Sequence, residues 1–68
     1  MKVRVLKLGH AAKEVEVGAG TTVEEALQAS GMEQDGYSVT VNGVGANLSA
    51  STREGDVIAL VPKVEGGI

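Results

Sequence analysis

The chain has 68 residues, a formal net charge of −3 and no cysteine. These features exclude disulfides, thiolate metal sites and a cysteine nucleophile, and they argue against nucleic acid, which rewards basic patches. Tyr37 is the sole aromatic residue, so there is no stacking platform for single strands, and the core must be built from Val, Leu and Ala. One small domain is expected, near the lower end of what folds alone. No apolar run approaches the ~20 residues of a membrane span. Met1 leads into a strand pattern interrupted by Arg4 and Lys7, not into a signal peptide, so a cytoplasmic protein is expected.

Residues Lys2–Leu8 alternate as a strand, with Val3 and Val5 on one face and Leu6 and Leu8 on the other. Gly9–Ala12 supplies a turn. Lys13–Val17 reads as the second strand of a hairpin, with Val15 and Val17 opposite Glu14 and Glu16. Thr22 stands three residues before Glu25, which is the signature of a capping box. Val23, Ala26, Leu27 and Ser30 then share one helix face, and Gly31 stops a helix of about three turns. Glu24 and Glu25 lie in its first turn, where the helix dipole favours them.

Tyr37–Val41 alternates again, and Asn42-Gly43 predicts a tight hairpin turn into a short strand from Val44 to Leu48. Ser49 to Glu54 is a polar connection. Asp56–Pro62 is the last strand, apolar on both faces, and Pro62 should mark its end or an edge. The order predicts an α+β domain over residues 1–62, with a mixed sheet and one helix across one face. The first and last strands would be parallel neighbours at its centre.

Few residues invite catalytic roles. His10 is the only histidine and sits in a turn, so it reads as solvated. Glu14 and Glu16 read as a strand's wet face, and Glu24 and Glu25 as a helix start. Gly43-Val44-Gly45 lacks the Lys-Ser/Thr of a phosphate loop and opens no helix. Ser49, Ser51 and Thr52 have no base beside them. Tyr37 is the largest core candidate, with its hydroxyl reaching the surface. No nucleophile–base pair or metal set is visible, so the chain is not expected to be an enzyme.

The end of the sequence carries the strongest signal. Gly66-Gly67 follows the last strand, and Ile68 follows the glycines. A diglycine without Cβ atoms can thread a narrow tunnel in another protein. Residues 63–68 are therefore expected to form a flexible tail.

The element order and this tail resemble the β-grasp fold of ubiquitin-like proteins, and more closely the sulfur carriers of molybdopterin synthase and of thiamine synthesis. Thr22–Leu27 looks like the family's helix start. Val41-Asn42-Gly43 looks like its turn. Gly55–Pro62, running into Gly66-Gly67, looks like its final strand and tail. The resemblance covers the whole chain. Four positions depart from the pattern: Ile68 extends past the diglycine, Lys63 stands where a second proline is common, Glu65 replaces a small residue, and Thr52 lies where an apolar anchor is frequent. The last departure predicts a loosely packed loop before the final strand.

The resemblance implies a ββαβββ-type β-grasp fold and a carrier acted on by an ATP-dependent activating enzyme. Gly67, with Gly66 as its unhindered neighbour, would be adenylated and converted to a thiocarboxylate once a processing peptidase removed Ile68. The carrier would bind no cofactor, because the partner enzyme uses the ATP. The later partner would be a sulfur-accepting synthase subunit or, for a protein modifier, target lysines. A non-conjugating β-grasp interaction module is the third reading. No nucleic-acid or membrane partner is expected, and the free protein should be a monomer. Val3, Val5, Val57, Ala59 and Val61 are expected to face the helix. That leaves Leu6, Leu8, Ile58 and Leu60, with Pro62, as an exposed partner-binding patch beside the tail.

Overall fold

A computed structural model describes residues 1–63. Its elements are β1 (Lys2–Lys7), β2 (Ala12–Glu16), α1 (Val23–Ser30), β3 (Tyr37–Val41), β4 (Val44–Gly45) and β5 (Val57–Pro62). They form one mixed sheet in the order β2-β1-β5-β3-β4. β1 and β5 run parallel at its centre, while the β1–β2, β3–β5 and β3–β4 pairs are antiparallel. This is the α+β, β-grasp arrangement read from the sequence.

The helix starts where its capping chemistry dictates. The Glu25 N–H donates to Thr22 Oγ1, and the Thr22 N–H donates back to Glu25 Oε1 at 3.0 Å. Gly31 ends it with φ of 75°. The caps stand outside the helix proper, which therefore has 8 residues, or about two turns. It buries Val23, Ala26 and Leu27 against the sheet. A helix this short is marginal alone and depends on that packing.

β4 is shorter than the sequence predicts. Ala46 still donates to Val39 O, but the chain then leaves the sheet. The carbonyls of Leu48 and Ala50 instead accept from the N–H groups of Glu24 and Val23. Those are first-turn amides with no partner inside the helix. Capping the helix takes this segment away from the sheet.

The loop before β5 is also tighter than expected. Thr52 is only 4% exposed. Its N–H and its Oγ1 both donate to Thr21 O, at 2.7 and 2.6 Å. A threonine that meets its hydrogen-bonding need in place can serve as an anchor where an aliphatic residue would otherwise fit.

The two faces of β5 are the reverse of the sequence expectation. Ile58 and Leu60 are fully buried with Val3 and Val5, while Val57, Ala59 and Val61 are half-buried on the opposite face. Ile58 pairs with Val5 and Val41, and Leu60 pairs with Val39. Residues paired across a sheet share a face, so this register turns Ile58 and Leu60 towards α1. Volume agrees with it: a short helix leaves space that Ala59 could not fill, and voids in a core are costly. Ile58 and Leu60 therefore do not form part of an exposed patch.

Candidate docking face and tail root

Among the described residues, no element covers the sheet face away from α1. Register gives its layout. One row runs Ala12–Leu6–Ala59–Thr40, and the next runs Glu14–Arg4–Val57. Lys2 pairs with Glu16 beyond that, and Val61 pairs with Ser38 at the other end. The face is thus graded along β5. Its charged end lies where β5 begins. Its apolar and hydroxyl-bearing end lies where β5 leaves the sheet.

At the charged end, Lys2, Arg4, Glu14, Glu54 and Val57 line a groove of about 250 Å³. The Lys2 N–H donates to Glu54 Oε1 at 3.0 Å on its rim. Glu16 accepts from the Met1 α-amino group at 2.9 Å. That hydrogen bond, reinforced by the attraction of the same ammonium and of Lys2, holds the Glu16 carboxyl below its usual range.

At the apolar end, Leu6 is half-buried and Leu8, just past β1, is 54% exposed. Pro62 is exposed and pairs with Tyr37. Leu6 thus lies on the uncovered face beside Ala59, with Leu8 exposed just past β1. Pro62 alternates with Ile58 and Leu60 and, contrary to the sequence expectation, is exposed on the α1 side of the sheet, not on this face. Val57, Ala59 and Val61 take the positions expected of Ile58 and Leu60. The signal that could have found them is size, since the larger alternate set belongs in the core. Gly66, Gly67 and Ile68 lie outside the described residues.

The chain leaves β5 through a defined corner. The Lys63 N–H donates to Gly36 O at 3.1 Å, and the Leu8 N–H donates to Leu60 O at 3.0 Å. His10, read from sequence as a free turn residue, places Nε2 3.1 Å from the Tyr37 hydroxyl. Among the described residues, no three His, Asp or Glu side chains come together as metal ligands. No helix among them is long and apolar enough to cross a membrane.

A five-stranded mixed sheet around one short helix is the β-grasp fold of ubiquitin-like proteins, and together with the matches that follow it supports a ubiquitin-like sulfur carrier or modifier. The family is also shown by sequence: the ThiS family model matches residues 4–67, and the chain belongs to that family. No curated protein matches the chain. Among solved structures it is similar to SAMP1 from Haloferax volcanii, with a TM-score of 0.79 and 27% identity over 98% of this chain and 100% of that one. It also resembles a chain in the complex of subunits 1 and 2 of the molybdopterin-converting factor from Helicobacter pylori, with a TM-score of 0.74 and 23% identity over 98% and 100% of the two chains. A ubiquitin from Caldiarchaeum subterraneum matches with a TM-score of 0.66 and 20% identity over 98% of each chain. The last two similarities bear on the fold.

Proposed function

We propose that this protein is a sulfur carrier activated at Gly67. The observation that carries the reading is the family match, which runs through Gly66 and Gly67 and stops before Ile68. Removal of Ile68 by a peptidase frees the Gly67 carboxylate. That carboxylate attacks the α-phosphate of ATP held by a partner enzyme. Pyrophosphate leaves and an acyl-adenylate forms. A sulfide equivalent then displaces AMP, and the chain ends in a thiocarboxylate. The carrier itself binds no cofactor. It contributes a nucleophilic carboxylate on an unhindered diglycine and a surface by which the partner grips it. Leu6, Leu8, Ala59 and Val61 suit that grip, because they lie on the uncovered face towards the end of the sheet from which the tail departs, and Pro62 is exposed at the same end on the other side of the sheet. The cytoplasm suits the supply of ATP.

A modifier reading has one observation of its own, the similarity to a protein described as small archaeal modifier protein 1, with a TM-score of 0.77 and 26% identity. The chemistry is the same up to the adenylate. A lysine ε-amine then displaces AMP and forms an isopeptide bond. In the carrier reading the acceptor is a synthase subunit, in keeping with the two-subunit assembly in which the molybdopterin-converting factor was solved.

The test is ATP–pyrophosphate exchange with the adenylating enzyme from the same cells. A chain ending at Gly67 is expected to support exchange, and the chain ending at Ile68 is not. Exchange with neither chain overturns both conjugating readings and leaves an interaction module.

A further inference from the structure

The only aromatic side chain of this protein stands at a corner of the sheet. Tyr37 opens β3 where β5 ends, in register with Pro62. Its ring is held on several sides. The Lys7 ammonium lies 4.6 Å from the ring centroid. The His10 ring meets it edge-on, with centroids 6.3 Å apart and planes at 70°. His10 Nε2 is 3.1 Å from the hydroxyl. The ring also packs against the edge of the buried core.

The place matters because Pro62 has no N–H to donate. Its nitrogen faces β1, where the bond from the Leu8 N–H to Leu60 O at 3.0 Å is the last before it, and the outermost bond to β3 is that of the Lys63 N–H to Gly36 O at 3.1 Å. A strand end held by one outer hydrogen bond opens at small cost. A ring fixed opposite Pro62 adds cross-strand contact to that end. The cation over its face and the hydrogen bond to its hydroxyl hold the ring in turn. Lys7 and His10 come from the β1–β2 side of the corner and Tyr37 from β3. The Pro62 end of β5 thus lies between the strands that supply them.

We infer that Tyr37, held by Lys7 and His10, is a positioning residue that sets the path on which the chain leaves β5. Lys7 and His10 act through Tyr37 and touch no reacting atom. The purpose rests on the carrier reading: a tail that leaves on a set path loses less freedom when a partner threads it.

Hydrogen exchange of the Lys63 amide, followed by NMR on the full chain, tests this without any partner. Tyr37→Leu should speed exchange at Lys63 about tenfold, equivalent to ~1.4 kcal/mol. Tyr37→Phe keeps the ring and should restore most of the protection. The double variant Lys7→Gln/His10→Ala leaves the ring in the fold and should also speed Lys63, with the Val5 and Leu60 amides unchanged. That double variant decides the matter if Tyr37→Leu loosens the whole domain. Unchanged exchange at Lys63 in the double variant overturns the inference.

Purpose is read separately, by pyrophosphate exchange on chains ending at Gly67. The loosened variants should raise KM for the carrier and leave kcat unaltered. Equal KM in all variants contradicts the role in threading. No turnover of the unsubstituted chain overturns the carrier reading, and amide exchange still decides the role of Tyr37.

Discussion

Asn42 and Val57 hold each other by two hydrogen bonds of opposite sense. The Asn42 N–H donates to Val57 O at 2.8 Å, and the Val57 N–H donates to Asn42 Oδ1 at 3.0 Å. Asn42 Nδ2 then reaches Asp56 Oδ1 at 3.1 Å. Asn42 has φ of 53° and Gly43 has φ of 86°, the left-handed pair that a two-residue hairpin turn requires. One residue therefore turns the β3–β4 hairpin and pins the start of β5. Asn42→Gly keeps the turn and removes the side chain, and should cost ~1 kcal/mol. Asn42→Ala adds left-handed strain of ~1–2 kcal/mol. Urea midpoints should fall in the order unsubstituted, Gly, Ala. A Gly variant as stable as the unsubstituted chain would show that the side-chain bonds to β5 contribute nothing.

The facing of β5 can be tested by pairs of neighbouring substitutions. Ile58→Ala removes a fully buried side chain and should cost ~2–5 kcal/mol. Val61→Thr keeps branching and volume on the uncovered face and should stay within ~0.5 kcal/mol. Denaturant unfolding giving similar losses for both would contradict the assignment of the two faces.

The uncovered face should be dispensable for folding and necessary for docking. Leu6→Glu places a charge in the row Ala12–Leu6–Ala59–Thr40. The circular dichroism spectrum should not change, while KM for the carrier with its activating enzyme rises about tenfold, or ~1.4 kcal/mol. An unaltered KM would move the docking site elsewhere.

Thr52 anchors the loop before β5 through its hydroxyl. Thr52→Val preserves shape and loses the 2.6 Å bond to Thr21 O. That carbonyl keeps the Thr52 N–H at 2.7 Å, so no buried acceptor is left unpaired. The cost should stay near ~1 kcal/mol. A thermal midpoint above that of the unsubstituted chain would instead favour an aliphatic anchor at this position.

Glu16 should titrate below the usual carboxylate range, because the Met1 ammonium favours its charged form. Its pKa is lowered in the folded state. Its contribution to stability is therefore present above the unfolded value and is lost as the pH falls through the folded value. The side chain is exposed, so the effect should be small and weaken with salt. An NMR titration of the Glu16 carboxyl checks it. An ordinary titration would mean that the ion pair does not form in solution.

What was legible in the sequence was local. Thr22 with Glu25, and Asn42 with Gly43, declared a helix start and a turn because their own atoms make the bonds. What escaped was non-local. Both alternate sets of β5 are apolar, so periodicity could not choose a face. The pairing of Ile58 with Val5 and of Leu60 with Val39 decided it. β4 ended early because Leu48 and Ala50 cap α1, a demand from another layer of the fold. His10 and Tyr37 stand 27 residues apart, and no spacing rule joins a turn histidine to a strand tyrosine.

The most direct measurement is the intact mass of this protein isolated from its own cells. The account predicts a mass lacking Ile68, with part of the population carrying sulfur in place of one oxygen at Gly67. A mass lacking Ile68 without sulfur, alongside larger covalent adducts, would favour the modifier. Full-length protein alone, even after incubation with cell extract and ATP, would contradict the account.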